Sequence, residues 1–202
     1  MIRFPDKAPY GEYLLECNGM DGDRFAEWIF HPGMLFGSLE KWWGGGGSRD
    51  KAHEGLDIAL FRDVEGKIRR LEAGILVPAV YGGTVVRVGE DYLGESVYVC
   101  HEIDDGCGRA LHTIYGHIRP GDRISRLERV EAGDVLGTVA DPGLRDRKAP
   151  AHLHLTAAWI PGSLPPERMT WGEIGALGPG ALLNPLDLMA CRNAIEGLPE
   201  QM

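Results

Sequence analysis

The sequence predicts a mostly β fold of short strands joined by turns. Two observations carry that prediction. Glycine occurs 29 times and proline 13 times in 202 residues, a density of turn formers that argues against a bundle of long helices. Between residues 53 and 160, apolar β-branched runs are punctuated by turn residues. The length fits one domain, or one domain with extensions, and is enough to bury a core without disulfide staples.

The elements follow in order. Residues 1–52 read as largely irregular, with 23–30 as a short strand or helical turn that His31-Pro32-Gly33 breaks. Trp42-Trp43 then precedes Gly44-Gly45-Gly46-Gly47-Ser48, a run that holds neither helix nor packed strand and suits a hinge or a close ligand approach. Ile75 to Val80, Thr84 to Val88 and Ser96 to Cys100 read as strands. Arg109 to Ile118 pairs with the last of these through a turn at 104–108. Val130 to Gly137 reads as turn then strand, and Ala151 to Trp159 as the last core strand. A Pro- and Gly-rich stretch follows, then a short helical tail from Pro185 to Glu196.

Composition narrows the function. Lys and Arg total 21 against 30 Asp and Glu, a net charge of −9, which speaks against broad nucleic-acid binding. No segment is apolar enough to span a bilayer, and Met1 to Lys7 lacks the basic-then-apolar run of a signal peptide. A periplasmic or extracellular setting is expected if an export signal precedes Met1, and a cytoplasmic one if Met1 is the natural start. The cysteines Cys17, Cys100, Cys107 and Cys191 contain no CxxC pair, which argues against a four-thiolate zinc site. Cys100 and Cys107 could face each other across the 104–106 turn, but four unpaired thiols are the simpler expectation.

Three short motifs carry the chemistry: His53-Glu54-Gly55-Leu56-Asp57, Tyr115-Gly116-His117 and His152-Leu153-His154. In a strand His152 and His154 project to one face, where one could bind a cation and the other move protons beside it. His53 and Asp57, joined by a distant histidine, would make a three-ligand zinc site with one position open. His117 follows Tyr115 with period two, so both could share a face; His117 could then act as base or orient substrate, or simply pair with Tyr115 in a half-buried sheet. The first motif also resembles the HExxH helix of zincins with its last histidine replaced by Asp57, which would make Glu54 the base. Gly55 is a poor helix residue, and the surroundings read as β, against that alternative.

The order HxxxD, YxH, HxH through Gly-rich β sequence resembles the lysostaphin-type, or LytM-like, zinc endopeptidases. Val77-Pro78-Ala79 with Gly83-Thr84-Val85, the run Val130 to Gly137, and Asn184-Pro185-Leu186-Asp187 add to the resemblance, which extends over about 50–190. It implies an antiparallel β core with a groove over the metal, and a metallopeptidase domain at 51–190. Residues 1–50 would be an extension on or near that core, and 191–202 a tail. It implies one Zn2+ per chain on His53, Asp57 and His154, with His117 and His152 catalytic. It implies cleavage of peptide bonds in cell-wall peptidoglycan, with peptidoglycan peptides as partners. Tyr115 could donate a hydrogen bond to a substrate or oxyanion, or serve packing. The alternatives are a non-catalytic cell-wall binding or hydrolase-activating module with the same fold, or a zinc hydrolase of a soluble peptide. In some relatives an upstream segment covers the groove and supplies a fourth ligand. Asn18 or His31 could do so here, though Trp28, Phe30, Trp42 and Trp43 as a wall of the core or groove is the simpler role. The charged loop 141–150 departs from relatives in which this loop is short and Gly/Ser-rich.

Overall fold

The structure is a computed structural model that describes residues 5–20, 22, 24–144, 149–178 and 180–197. Residues 145–148 of the charged loop, and the two ends of the chain, lie outside the described residues. In order, the elements are α1 (Tyr10–Cys17), β1 (Glu27–Phe30), β2 (Leu56–Ile58), β3 (Leu60–Arg62), β4 (Ile68–Arg70), β5 (Leu76–Pro78), β6 (Gly83–Glu90), β7 (Glu95–Asp104), β8 (Arg109–Pro120), β9 (Arg129–Val130), β10 (Val135–Val139), β11 (Leu153–Pro161), α2 (Trp171–Gly175), β12 (Leu182–Leu183), α3 (Pro185–Leu188) and β13 (Asn193–Ile195). The mostly β, antiparallel architecture expected from the sequence is what the chain adopts.

A nine-stranded sheet runs β12-β11-β8-β7-β6-β9, with β2 added to β11 and with β10 joining β8 to β5. The expected hairpin of β7 and β8 is present, and β8 pairs β11 antiparallel along eight residues, from His154↔Gly116 to Pro161↔Arg109. Both faces of this centre are covered. Tyr115, Val97, Val99, Leu153 and Leu155 join the main core on one face. Ile114, Ala158 and Ile160 pack on the other against Met169 and Ile174 of the segment around α2. That two-sided cover is why β11 is buried along nearly its whole length and reads as an apolar run interrupted by polar side chains with a task.

The N-terminal stretch is more regular than its sequence suggests. Tyr10 and Leu14 of α1 are buried in the main core, and the Asn18 side chain donates to the Leu76 carbonyl and accepts from the Leu76 amide, pinning the helix end to β5. Strand β1 pairs antiparallel with β3 and parallel with β13, forming a four-stranded sheet β13-β1-β3-β4. The C-terminal helix is a single turn, α3, capped by Asn184, and the residues beyond it extend into β13 rather than continuing the helix to Glu196. The Gly44–Gly47 run makes a tight reversal, all four residues at positive φ. Lys41 N–H bonds the Gly47 carbonyl at 2.8 Å across it, which returns Arg49 to the side of Trp43. All four cysteines are free. Among the described residues, no helix is long and apolar enough to cross a membrane.

Candidate metal centre and cleft

His53 lies in the loop before β2, and Asp57 is the central residue of β2. No helix encloses them, which removes the zincin-like alternative. Asp57 is the cross-strand partner of His154 in the β2–β11 pair, so a single ladder register brings two motifs 97 residues apart into contact. Gly55 is required for this approach: a Cβ there would meet the Leu155 carbonyl at 2.5 Å and His154 Nε2 at 2.7 Å. Gly116, opposite His154 on the other side, leaves the space that His154 and Trp171 fill.

Three atoms converge. His53 Nε2 is 3.1 Å from Asp57 Oδ1 and 3.1 Å from His154 Nδ1, and His154 Nδ1 is 2.9 Å from Asp57 Oδ1. The remaining polar atoms of each residue are held elsewhere. His53 Nδ1 faces the Leu35 carbonyl at 3.1 Å, so it carries the proton and Nε2 carries the lone pair. His154 Nε2 meets Thr156 Oγ1 at 3.0 Å. Asp57 Oδ2 accepts from Trp42 Nε1 at 2.7 Å and from Arg49 Nη2 at 3.4 Å. A tetrahedral zinc ion with donors at about 2.0 Å separates them by about 3.3 Å, close to the spacing here, and outward atoms held by a second layer are how metal ligands are oriented. The donor set therefore fits zinc.

His152 and His117 stand beside this triangle. His152 shares the face of His154, as the strand alternation predicts. Its Nδ1 donates to the Pro150 carbonyl at 2.8 Å, and its Nε2 is 3.7 Å from Asp57 Oδ1. Its ring stacks on Trp43 and meets the His117 ring edge-on at 4.8 Å between centroids. Burial pushes the His152 imidazole down to about 4 against the attraction of Asp57, so it is neutral at pH 7. Burial also lowers His154, with Asp57 opposing. Burial raises Asp57, but the imidazoles of His152, His53 and His154 facing it outweigh this and hold it well below the usual carboxylate range.

Tyr115 and His117 do not share a face, contrary to the period-two expectation. A bulge sets both Gly116 and His117 of β8 against Ser96 of β7, and His117 has φ 62°. The extra residue reverses the alternation, turning His117 into the cleft and leaving Tyr115 in the core. The Tyr115 hydroxyl accepts from the Val80 amide at 2.7 Å and lies 2.9 Å from Thr113 Oγ1. Tyr115 is fully buried, which leaves it the packing role and rules out contact with a substrate. Neither Asn18 nor His31 reaches the site: Asn18 ties α1 to β5, and His31 Nδ1 caps a helical turn by accepting from the Gly33 amide. Of the four upstream aromatics, Trp42 and Trp43 line or back the cleft, whereas Trp28 and Phe30 belong to the core.

Three participants escaped sequence reading. Arg49 lies over Trp43, 4.7 Å from its ring centroid, and reaches Asp57. Thr156 is the next same-face residue after His154 on β11, a position the HxH alternation could have flagged. Asp91, in the β6–β7 turn, bonds both the backbone and the ring of His117. The cleft is rimmed by Glu54, Tyr92, Leu93, Ala149 and Trp171.

The sequence model of Peptidase family M23 matches residues 51–161. Among solved structures, CbpA from L. salivarius REN is similar with a TM-score of 0.51 and 20% identity, over 83% of this chain and 95% of that one. LytU gives a TM-score of 0.47 and 20% identity over 82% and 83%. The catalytic domain of lysostaphin from Staphylococcus simulans gives 0.46 and 15% over 87% and 94%. No curated protein matches. At 20% identity the CbpA likeness speaks to the fold alone.

Proposed function

The chain belongs to peptidase family M23, and from that premise we propose that it is a zinc-dependent endopeptidase cleaving peptide bonds of bacterial cell-wall peptidoglycan. The observation that carries this reading is the convergence of His53 Nε2, Asp57 Oδ1 and His154 Nδ1 in a cleft that also holds two further histidines. These three side chains would hold one zinc ion per chain, leaving a coordination position for chemistry. Zinc in such a site supplies Lewis acidity, which acidifies water and polarises a carbonyl.

The chain's own residues supply the rest. Trp42 and Arg49 hold Asp57 Oδ2 and so aim Oδ1 into the site. His152 and His117 are the proton-handling pair. One removes a proton as water adds to the scissile carbonyl, and a proton is returned to the leaving amine nitrogen as the C–N bond breaks. With Nδ1 donating to the Pro150 carbonyl, His152 presents Nε2 to the cleft. Trp43 stacked on one side of His152 and Trp171 edge-on to His154 exclude water from the flanks of the site. In this reading 51–190 is the metallopeptidase domain, 1–50 packs on it, and 191–202 is a tail. Action on the wall also requires the protein to work outside the cytoplasmic membrane.

The test is digestion of purified peptidoglycan, followed by release of new amino termini. Release that stops with a strong chelator and returns with zinc is expected. Zinc-loaded protein that binds the polymer without releasing amines would replace this reading with that of a non-catalytic wall-binding module.

A further inference from the structure

His117 sits in a backbone conformation that L residues rarely hold, at φ 62°. A left-handed non-glycine residue is unfavourable and persists only where its surroundings over-determine it. Here the Ala140 amide bonds the His117 carbonyl at 2.9 Å, and one carboxylate holds both the His117 amide and its ring. Asp91 Oδ2 accepts from the His117 amide at 2.7 Å, and Asp91 Oδ1 accepts from His117 Nδ1 at 3.1 Å. The same carboxylate accepts from the Leu93 and Gly94 amides at 2.9 and 2.7 Å and from Ser96 Oγ at 2.7 Å, which closes the β6–β7 turn around it. The Asp91 side chain is fully buried, its position set by the turn on one side and the bulge on the other.

We infer that Asp91 is the positioning residue for His117, fixing both its bulged backbone and its tautomer, and that His117 is therefore the histidine that carries the proton in the reaction. This rests on the hydrolase reading of the site. A carboxylate accepting from Nδ1–H leaves the Nε2 lone pair to face the cleft. His117 Nε2 takes a proton from the attacking water as the oxygen bonds the carbonyl carbon. It returns that proton to the amine nitrogen when the C–N bond breaks, leaving a carboxylic acid and an amine. While His117 is protonated, the Asp91 charge stabilises the imidazolium. Among the described residues, His152 has the neutral Pro150 carbonyl behind its Nδ1 and no carboxylate there. Its part is to donate or accept a hydrogen bond in place. Asp91 acts through His117.

Asp105 provides the control. It occupies the neighbouring β7–β8 turn, is buried, and accepts from the Cys107 and Arg109 amides and the Arg109 side chain, at the end of β7 remote from His117. Asp91→Asn is expected to keep one zinc per chain and to lower kcat about 10³-fold with KM changed less than about threefold. Asp105→Asn is expected to leave kcat within about twofold. On the wild-type zinc-loaded protein, 15N NMR of the imidazoles tests the same inference without a variant. His117 is expected as the Nδ1–H tautomer with a downfield proton, even if Asp91→Asn does not fold. An Nε2–H tautomer, or wild-type kcat in zinc-replete Asp91→Asn, would overturn the inference. A wild-type protein that cleaves no peptidoglycan would instead refute the hydrolase reading, and the NMR tautomer alone would then decide whether Asp91 sets His117.

Discussion

The two faces of the central sheet carry two buried polar networks built from the same residue types, and they are organised in opposite ways. On the core face the groups form a chain. His101 Nδ1 meets the Gly82 carbonyl at 2.9 Å, His101 Nε2 meets Thr113 Oγ1 at 2.8 Å, Thr113 meets Tyr115, and Tyr115 meets the Val80 amide. Each ring nitrogen of His101 is matched to one protein group, and the chain ends on backbone. On the cleft face the partners are distributed so that three donor atoms are left pointing at one another, about 3 Å apart, next to open space. Burial and histidine content therefore do not mark the site. Convergence of lone pairs, with every other polar atom held outward, does.

Breaking the convergent network should cost function, and breaking the chain should cost stability. The largest effect is expected from His154→Ala, which removes one corner of the triangle: zinc is lost and peptidoglycan cleavage falls below detection. His152→Ala should retain zinc while kcat drops about 10²- to 10⁴-fold, the usual size of a lost acid–base or hydrogen-bonding group. Metal analysis beside kinetics separates the two, and full activity in either variant would sink the assignment of both.

Acid sharpens the contrast from the other face. Burial holds the His101 imidazole down at about 4, with the Gly82 carbonyl opposing, against an unfolded value near 6.5. Between those values the unfolded chain binds a proton that the folded chain excludes. Stability therefore falls as pH drops from about 6.5 to 4, by up to roughly 3 kcal/mol from this residue. Urea unfolding at pH 7 and pH 4.5 should show a smaller acid loss in His101→Gln than in the wild-type protein. Equal losses in the two would contradict the buried-neutral role of His101.

A smaller change separates the outer layer of the site from its core. Trp42→Phe removes the donor to Asp57 Oδ2 while keeping the ring packing, and should weaken zinc about 10- to 100-fold in a chelator competition. Tyr115→Phe should have the mildest outcome: a stability loss of about 1–2 kcal/mol from the orphaned Val80 amide, with zinc binding and kcat unchanged. Reduced turnover in stable Tyr115→Phe would mean that the core network reaches the cleft after all.

What the sequence could show follows the range of the interactions. Strand alternation was sufficient to place His152 and His154 on one face, and the turn residues at 104–108 were sufficient for the β7–β8 hairpin. The pairing of Asp57 with His154 depends on a ladder between segments 97 residues apart, and only the resemblance in motif order pointed to it. Period-two alternation does not give the parity of His117 because a bulge adds one residue to the count, and nothing in Tyr115-Gly116-His117 announces a bulge beyond the glycine. Asp91 was invisible for a related reason. Aspartate in a Gly-containing turn is ordinary turn chemistry, and its second task arises from a strand 26 residues away. The pairing of β1 with β13 joins opposite ends of the chain, beyond any local pattern.

The cleft face has the donor geometry of a metal site and the core face does not. Zinc stoichiometry tests it most directly, by elemental analysis of protein purified without added metal and dialysed against a weak chelator. About one zinc per chain is expected in the wild-type protein and in Tyr115→Phe, and none in Asp57→Ala. A wild-type chain that holds no zinc and takes none up on addition, or an Asp57→Ala chain that still holds one, would contradict it.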